Sequence, residues 1–216
     1  MWKARVALIQ MKLKKLPWQQ ITGVLCLLLV AACFWLDREQ DALADKVLRL
    51  HVLANSDTEE DQALKLCVRE GVLAAVGPWI AEEGDAAEAA ALLEVRLPEL
   101  QMEAQRLVWE EGYNYPVTVK MEEHYFPSRS YDGFALPAGS YQSLRVVIGE
   151  GAGQNWWCVV FPPLCNAAST EAVAESAGEA GLTEQEVFLI LEEREEYVIK
   201  FRAIELWEQV KHLLEQ

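Results

Sequence analysis

Residues 149–165 constrain the fold more tightly than any other stretch. Gly149, Gly151 and Gly153 make a tight loop, and Asn155-Trp156-Trp157-Cys158-Val159-Val160-Phe161 follows, apolar on both faces after its first residue. Such a strand must be covered on both sides. Pro162-Pro163 then ends sheet pairing, because neither residue has an N–H to donate to a ladder. With a strand at Tyr141 to Ile148, the loop predicts a hairpin. Trp156 and Trp157 must point to opposite faces, one filling the core and the other at the surface or under a neighbouring loop.

The upstream chain supplies the layers around that strand. Asp45 to Ala54 predicts a buried strand, with Val47, Arg49, His51 and Leu53 on one face and Leu48, Leu50 and Val52 on the other. Asn55 to Thr58 ends it, and Ser56 with Glu59 fits a capping box for a helix to about Val76. In that helix Leu64, Cys67, Val68, Gly71, Val72, Ala75 and Val76 share one face, and Gly77-Pro78 is the stop. Asp85 to Gly112 is helical again, with Ala89, Leu93, Leu97, Leu100, Ala104, Leu107 and Val108 on one side. Pro98 either kinks this helix or begins a second one.

The period then changes to two. Val117, Val119 and Met121 alternate with polar residues, a half-buried strand. Tyr125 to Gly139 predicts a long aromatic loop, and loops of that length are more often functional than idle. Residues 166–182 have the small, polar composition of a flexible linker. Residues 183–216 form a C-terminal helical region, opened by a capping box of Thr183 and Glu186; residues 197–201 fit a strand or a helix start equally. The fold class is therefore α+β, with about four strands and three to five helices in one domain over residues 45–165.

Before this domain, residues 1–15 are basic and residues 16–36 carry no charge. As a helix, 21 residues span roughly 30 Å, one bilayer core. Cations precede the run and acids follow it, which places the N-terminus in the cytoplasm and the acidic body outside. Three fates fit: a retained anchor, a signal peptide cut after Ala44 in Ala42-Leu43-Ala44, or a lipidated Cys33. Met11 is an alternative start.

Charge excludes one class of partner. Residues 1–36 hold five cations and no acid, so a total of −15 leaves −20 on the rest. A body this acidic does not bind nucleic acid through phosphates. No metal or cofactor is expected. The glycine loop lacks nucleotide-fingerprint spacing and a following helix. His51 and His124 have no partner at i+4, and neither a Cys-x-x-Cys nor a Gly-x-Ser-x-Gly is present. Cys67 packs on a helix face. The Pro-Pro turn can return Cys165 to Cys158; outside a membrane a disulfide is favoured there over two separate thiols.

Three motifs carry a family resemblance: Leu50-His51-Val52-Leu53-Ala54-Asn55-Ser56-Asp57; Leu136-Pro137-Ala138-Gly139-x-Tyr141; and Gly153-x-Asn155-Trp156-Trp157-Cys158 through Pro162-Pro163-Leu164-Cys165. Over about residues 45–165 the chain resembles stage II sporulation protein R of endospore-forming Firmicutes. The resemblance implies a signal rather than an enzyme, exported across the forespore membrane into the intermembrane space. There it would activate a membrane-embedded aspartic protease, stage II sporulation protein GA, which processes the pro-form of sigma factor E. No small-molecule substrate is implied. The partner contact is expected on the aromatic loop and the glycine hairpin, through Tyr125, Arg129, Tyr131, Asn155, Trp156 and Trp157. His51, Asn55 and Asp57 are second candidates, with a structural capping role equally open to them. The alternatives are an exported cell-wall hydrolase and a structural protein of the sporulation septum.

Overall fold

The structure, a computed structural model, describes residues 18–131, 133–165 and 169–191. It divides into two compact units, Met1–Glu39 and Gln40–Gln216. Helix α1 (Trp18–Ala44) begins in the first. The expected anchor or signal segment falls on this helix and on residues outside those described. Among the described residues no helix is long and apolar enough to cross a membrane.

The second unit is built on a four-stranded sheet of order β2-β5-β1-β6, formed by β1 (Leu48–Leu53), β2 (Val117–Phe126), β5 (Gly139–Ile148) and β6 (Asn155–Phe161). β1 is central, parallel to β5 and antiparallel to β6, which is why all six of its residues are buried. One sheet face carries Leu48, Leu50, Val52, Leu144, Val146, Ile148, Val117 and Val119, all buried. It packs under α2 (Glu59–Ile80) and α3 (Ala86–Glu110). Leu64, Val68, Val72 and Val76 of α2, and Leu93, Leu100, Ala104 and Val108 of α3, complete this layer at the helical spacing expected. The α+β class and the four-stranded sheet are as the patterning required.

Local chemistry moved several boundaries. The α2 cap is Thr58, whose hydroxyl accepts from Asp61 N, and Ser56 instead donates to the Asp61 carboxylate. Pro78 lies inside the last turn of α2, which continues to Ile80; Pro98 lies inside a single helix α3 capped by Asp85. Cys67 is only partly buried, because its position has turned toward Glu111 at the helix flank. Thr183 and Glu186 form the expected reciprocal box at the start of α5 (Glu184–Leu191). The region expected after Leu191 lies outside the described residues.

Three expectations of connectivity are corrected. The Tyr125–Gly139 loop is mostly ordered backbone: β2 runs through Phe126, and β3 (Arg129–Tyr131) pairs with β4 (Phe134–Leu136) in a separate ribbon. β5 and β6 do not form a hairpin. The glycine loop arches over the end of β1, with Ala152 N and Gly153 N donating to the carbonyls of Asn55 and Ala54. The presumed linker holds α4 (Thr170–Glu179), capped by Ser169, with Val173 and Ala177 buried. Its Ala- and Glu-rich composition favours a helix once one face has something to pack on.

Candidate partner-binding face

The sheet face opposite the helices is built differently. Alternation along β1 puts Arg49 and His51 there. Register brings Tyr141, Ser143 and Arg145 of β5, Glu122, His124 and Phe126 of β2, and Trp157 of β6 beside them. The ribbon covers this face over Arg49 through Tyr131, while His124 and Trp157 stay half-buried and Asn155 and Arg129 are exposed.

Arg49 is fully buried. Its Nη2 donates to the Tyr131 hydroxyl at 2.5 Å, and the guanidinium lies 4.0 Å from the Phe126 ring centre and 5.0 Å from that of Tyr141. Nε and Nη1 have no hydrogen-bond partner. Burial pushes the Arg49 pKa down and that of Tyr131 up. Tyr131 also stacks on Phe134, ring centres 4.7 Å apart.

His51 is 2% exposed, and its Nε2 lies 2.8 Å from Asn155 Oδ1, so Nε2 carries the proton. Burial lowers its pKa to about 4, against the Asn155 hydrogen bond, which raises it. The ring is therefore neutral near pH 7. His124, Phe126 and Trp157 surround it at ring-centre distances of 5.1, 5.8 and 5.9 Å. His124 is lowered too, by burial and then by Arg145. Glu122 bridges Arg145 (2.7 Å) and Lys120 (2.5 Å). Burial raises its pKa, but the hydrogen bonds from the two cations outweigh this and hold it low.

The expected residues divide accordingly. His51, Arg129, Tyr131, Asn155 and Trp157 come together; Arg129 sits over the Trp157 ring at 5.4 Å. Trp156 and Tyr125 alternate to the other side. Trp156 carries Arg69 at 4.4 Å, and neither tryptophan is fully buried. Asn55 and Asp57 are a structural clasp. Asn55 donates to Asp61 (2.8 Å) and accepts from Glu150 N (3.1 Å), and Asp57 accepts from Gln154 N (2.7 Å). Gly153 completes the clasp: a Cβ there would lie 2.2 Å from the Ser56 carbonyl oxygen. Cys158 and Cys165 are joined by a disulfide.

Sequence reasoning missed Arg49, Arg69, Glu122, Phe126 and Arg145 as members of these clusters. A lone arginine inside a strand apolar on its other face was the available signal for Arg49. Among the described residues no group of three or more His, Cys, Asp or Glu could hold a metal ion.

The family model for stage II sporulation protein R matches residues 44–171, from the end of α1 into α4. The chain belongs to the stage II sporulation protein R family. Stage II sporulation protein R of Bacillus subtilis (strain 168) is 34% identical over 169 residues, covering 71% of this chain and 75% of that protein. No solved structure matches. The family segment thus takes in β1, the clasp, the ribbon, the aromatic face and the disulfide.

Proposed function

We propose that this protein is an exported sporulation signal that binds and activates a membrane-embedded aspartic protease, stage II sporulation protein GA, so that the protease processes the pro-form of sigma factor E. Family membership supports the sporulation role. The observation that carries the binding reading is the stretch of the second sheet face around His51, where half-buried Trp157 and His124 lie beside exposed Asn155 and Arg129. Large aromatic and arginine side chains at a partly open face are the usual anchors of protein contacts. The ligand would act by its differential affinity for the active state of the protease.

Residues 16–36 are the proposed export or anchor segment, which places the acidic domain between the forespore and mother-cell membranes. Ile21, Val24, Leu25, Leu27 and Leu28 of α1 are all exposed, a patch that suits lipid better than water. Gln40, Leu43 and Ala44 are buried with the domain, which favours retention of the segment over cleavage after Ala44.

Reconstitution tests the proposal. Residues 40–216 are added to the outer face of vesicles that hold the protease in their membrane and the sigma-factor precursor inside. Precursor cleavage that requires the added domain, and falls when Trp157 and Arg129 are changed to alanine in a folded protein, is the expected result. Cleavage that proceeds without the domain refutes the reading.

A further inference from the structure

The strand order leaves two sheet edges, and they are treated differently. On β2, the outward N–H groups of Val117 and Val119 are capped by the Oε1 atoms of Gln105 (2.9 Å) and Gln101 (3.2 Å) from α3. The far half of β6 is walled in: Val159 and Val160 line a cavity with Pro163, Cys165, Ala172 and Ser176, from the disulfide loop and α4. The near half, Asn155–Trp157, has no such cover among the described residues. Asn155 is exposed and both tryptophans are half-buried. This short edge has no proline, lysine or acid to discourage pairing.

Its charge is distinctive in a chain of net −15. Arg69 lies over Trp156 on the helix side, and Arg129 lies over Trp157 on the other side. Stacking uses the flat face of a guanidinium and leaves its in-plane N–H groups for a carboxylate. Arg69 Nε is buried without a hydrogen-bond partner, so an incoming carboxylate is met by the Nη groups; the Arg69–Glu70 pair there (2.7 Å) is open to water on the Glu70 side, so it is weak. Arg129 forms no ion pair among the described residues.

We propose that the β6 edge at Asn155–Trp157 accepts an extended segment of a partner protein bearing two adjacent acidic residues, one reaching Arg69 and the other Arg129. Consecutive side chains of an added strand point to opposite sheet faces, which matches one arginine on each face. A second copy is a poor occupant: pairing two β6 strands would bring four arginines together, and the strand itself, Asn155–Phe161, carries no acid to meet them. The inference rests on the reading of this end of the sheet as a partner surface and adds the chemistry of the partner.

The test uses the full chain and a fluorescent hexapeptide with a central Glu-Glu pair between β-branched residues, followed by anisotropy. Saturable binding is expected, roughly tenfold tighter than for the Lys-Lys counterpart. Backbone N-methylation at alternate residues should abolish it. Arg69→Gln and Arg129→Gln should each weaken binding about fivefold, with unfolding midpoints unchanged. Equal affinity for the two peptides, no binding, or full binding by the double variant overturns the proposal. So does a dimer of the chain in sedimentation that Trp157→Glu dissolves, which would give the edge to a second copy. The signalling assay stays separable. A double variant that loses the peptide but still triggers the protease refutes the edge, and Arg129 as an anchor, while the signal itself stands. A chain that binds the peptide but never triggers the protease refutes the signal alone.

Discussion

Arg49 offers a sharp test of how this face is held together. It is a fully buried cation with one hydrogen bond, to Tyr131 at 2.5 Å, and two donors without partners. Replacing it by methionine removes that bond, about 1.5–3 kcal/mol for a charged donor, and the contact with Phe126, about 1–2 kcal/mol. It also removes the desolvation cost of a buried charge, which is of the same size or larger. Arg49→Met is therefore expected to lie within about 1 kcal/mol of the parent. Tyr131→Phe is expected to be worse, at about 2 kcal/mol, because it leaves a third buried donor unsatisfied. In the Arg49→Met background the same tyrosine change should cost little, so the double-mutant cycle should show a coupling near 1.5–2 kcal/mol. Urea unfolding, followed by circular dichroism at equal m-values, reads all four proteins. A cost above about 3 kcal/mol for Arg49→Met, with none for Tyr131→Phe, would refute this account of the buried guanidinium.

Three further outcomes follow from the same geometry. Because the folded pKa of His51 is lowered from 6.5 to about 4, the unfolded chain binds more protons between those values. Stability should therefore fall by up to about 2–3 kcal/mol as pH drops from 6.5 toward 4, and His51→Gln should flatten that slope in pH-dependent urea titrations. Opening the disulfide with the Cys158→Ser, Cys165→Ser pair should cost about 2–3 kcal/mol, as a short closed loop predicts, read as a lower thermal midpoint. A chain beginning at residue 45 should be less stable than one beginning at residue 40 by about 2–5 kcal/mol, since it lacks the fully buried Leu43; equal denaturation midpoints would show that the end of α1 adds nothing.

Elements with a strong period were legible in the sequence. β1, α2, α3 and the start of β2 follow directly from alternation or helical spacing, and Pro78 and Pro98 only blurred their limits. Pairing was harder, because it depends on sequence-distant registers. The glycine loop looked like a hairpin turn, and its bonds to Ala54 and Asn55 are visible only once β1 lies between β5 and β6. α4 was hidden because its apolar face is just Val173 and Ala177. Among the candidate contact residues, Trp157, His51 and Asn155 stand out by residue type, and the sheet brings them together. Tyr125 and Trp156 were grouped with them although strand alternation sends them to the other side. Asn55 and Asp57 stand out as polar residues at a strand end, and they hold the loop through Glu150 N and Gln154 N. Arg49 is not legible as a site residue, because the sequence does not show what lies above it.

The central position of β1 also governs when the domain can form. Its ladder partners begin at Ser143 on one side and Asn155 on the other, so the first strand of the unit closes only with chain some ninety residues later. Pairing across such a separation carries a large loop-closure entropy and folds slowly. A chain threaded N-terminus first through a narrow pore would therefore keep this strand unpaired until most of the domain had crossed. Assembly of the whole sheet would then be deferred until that crossing was complete.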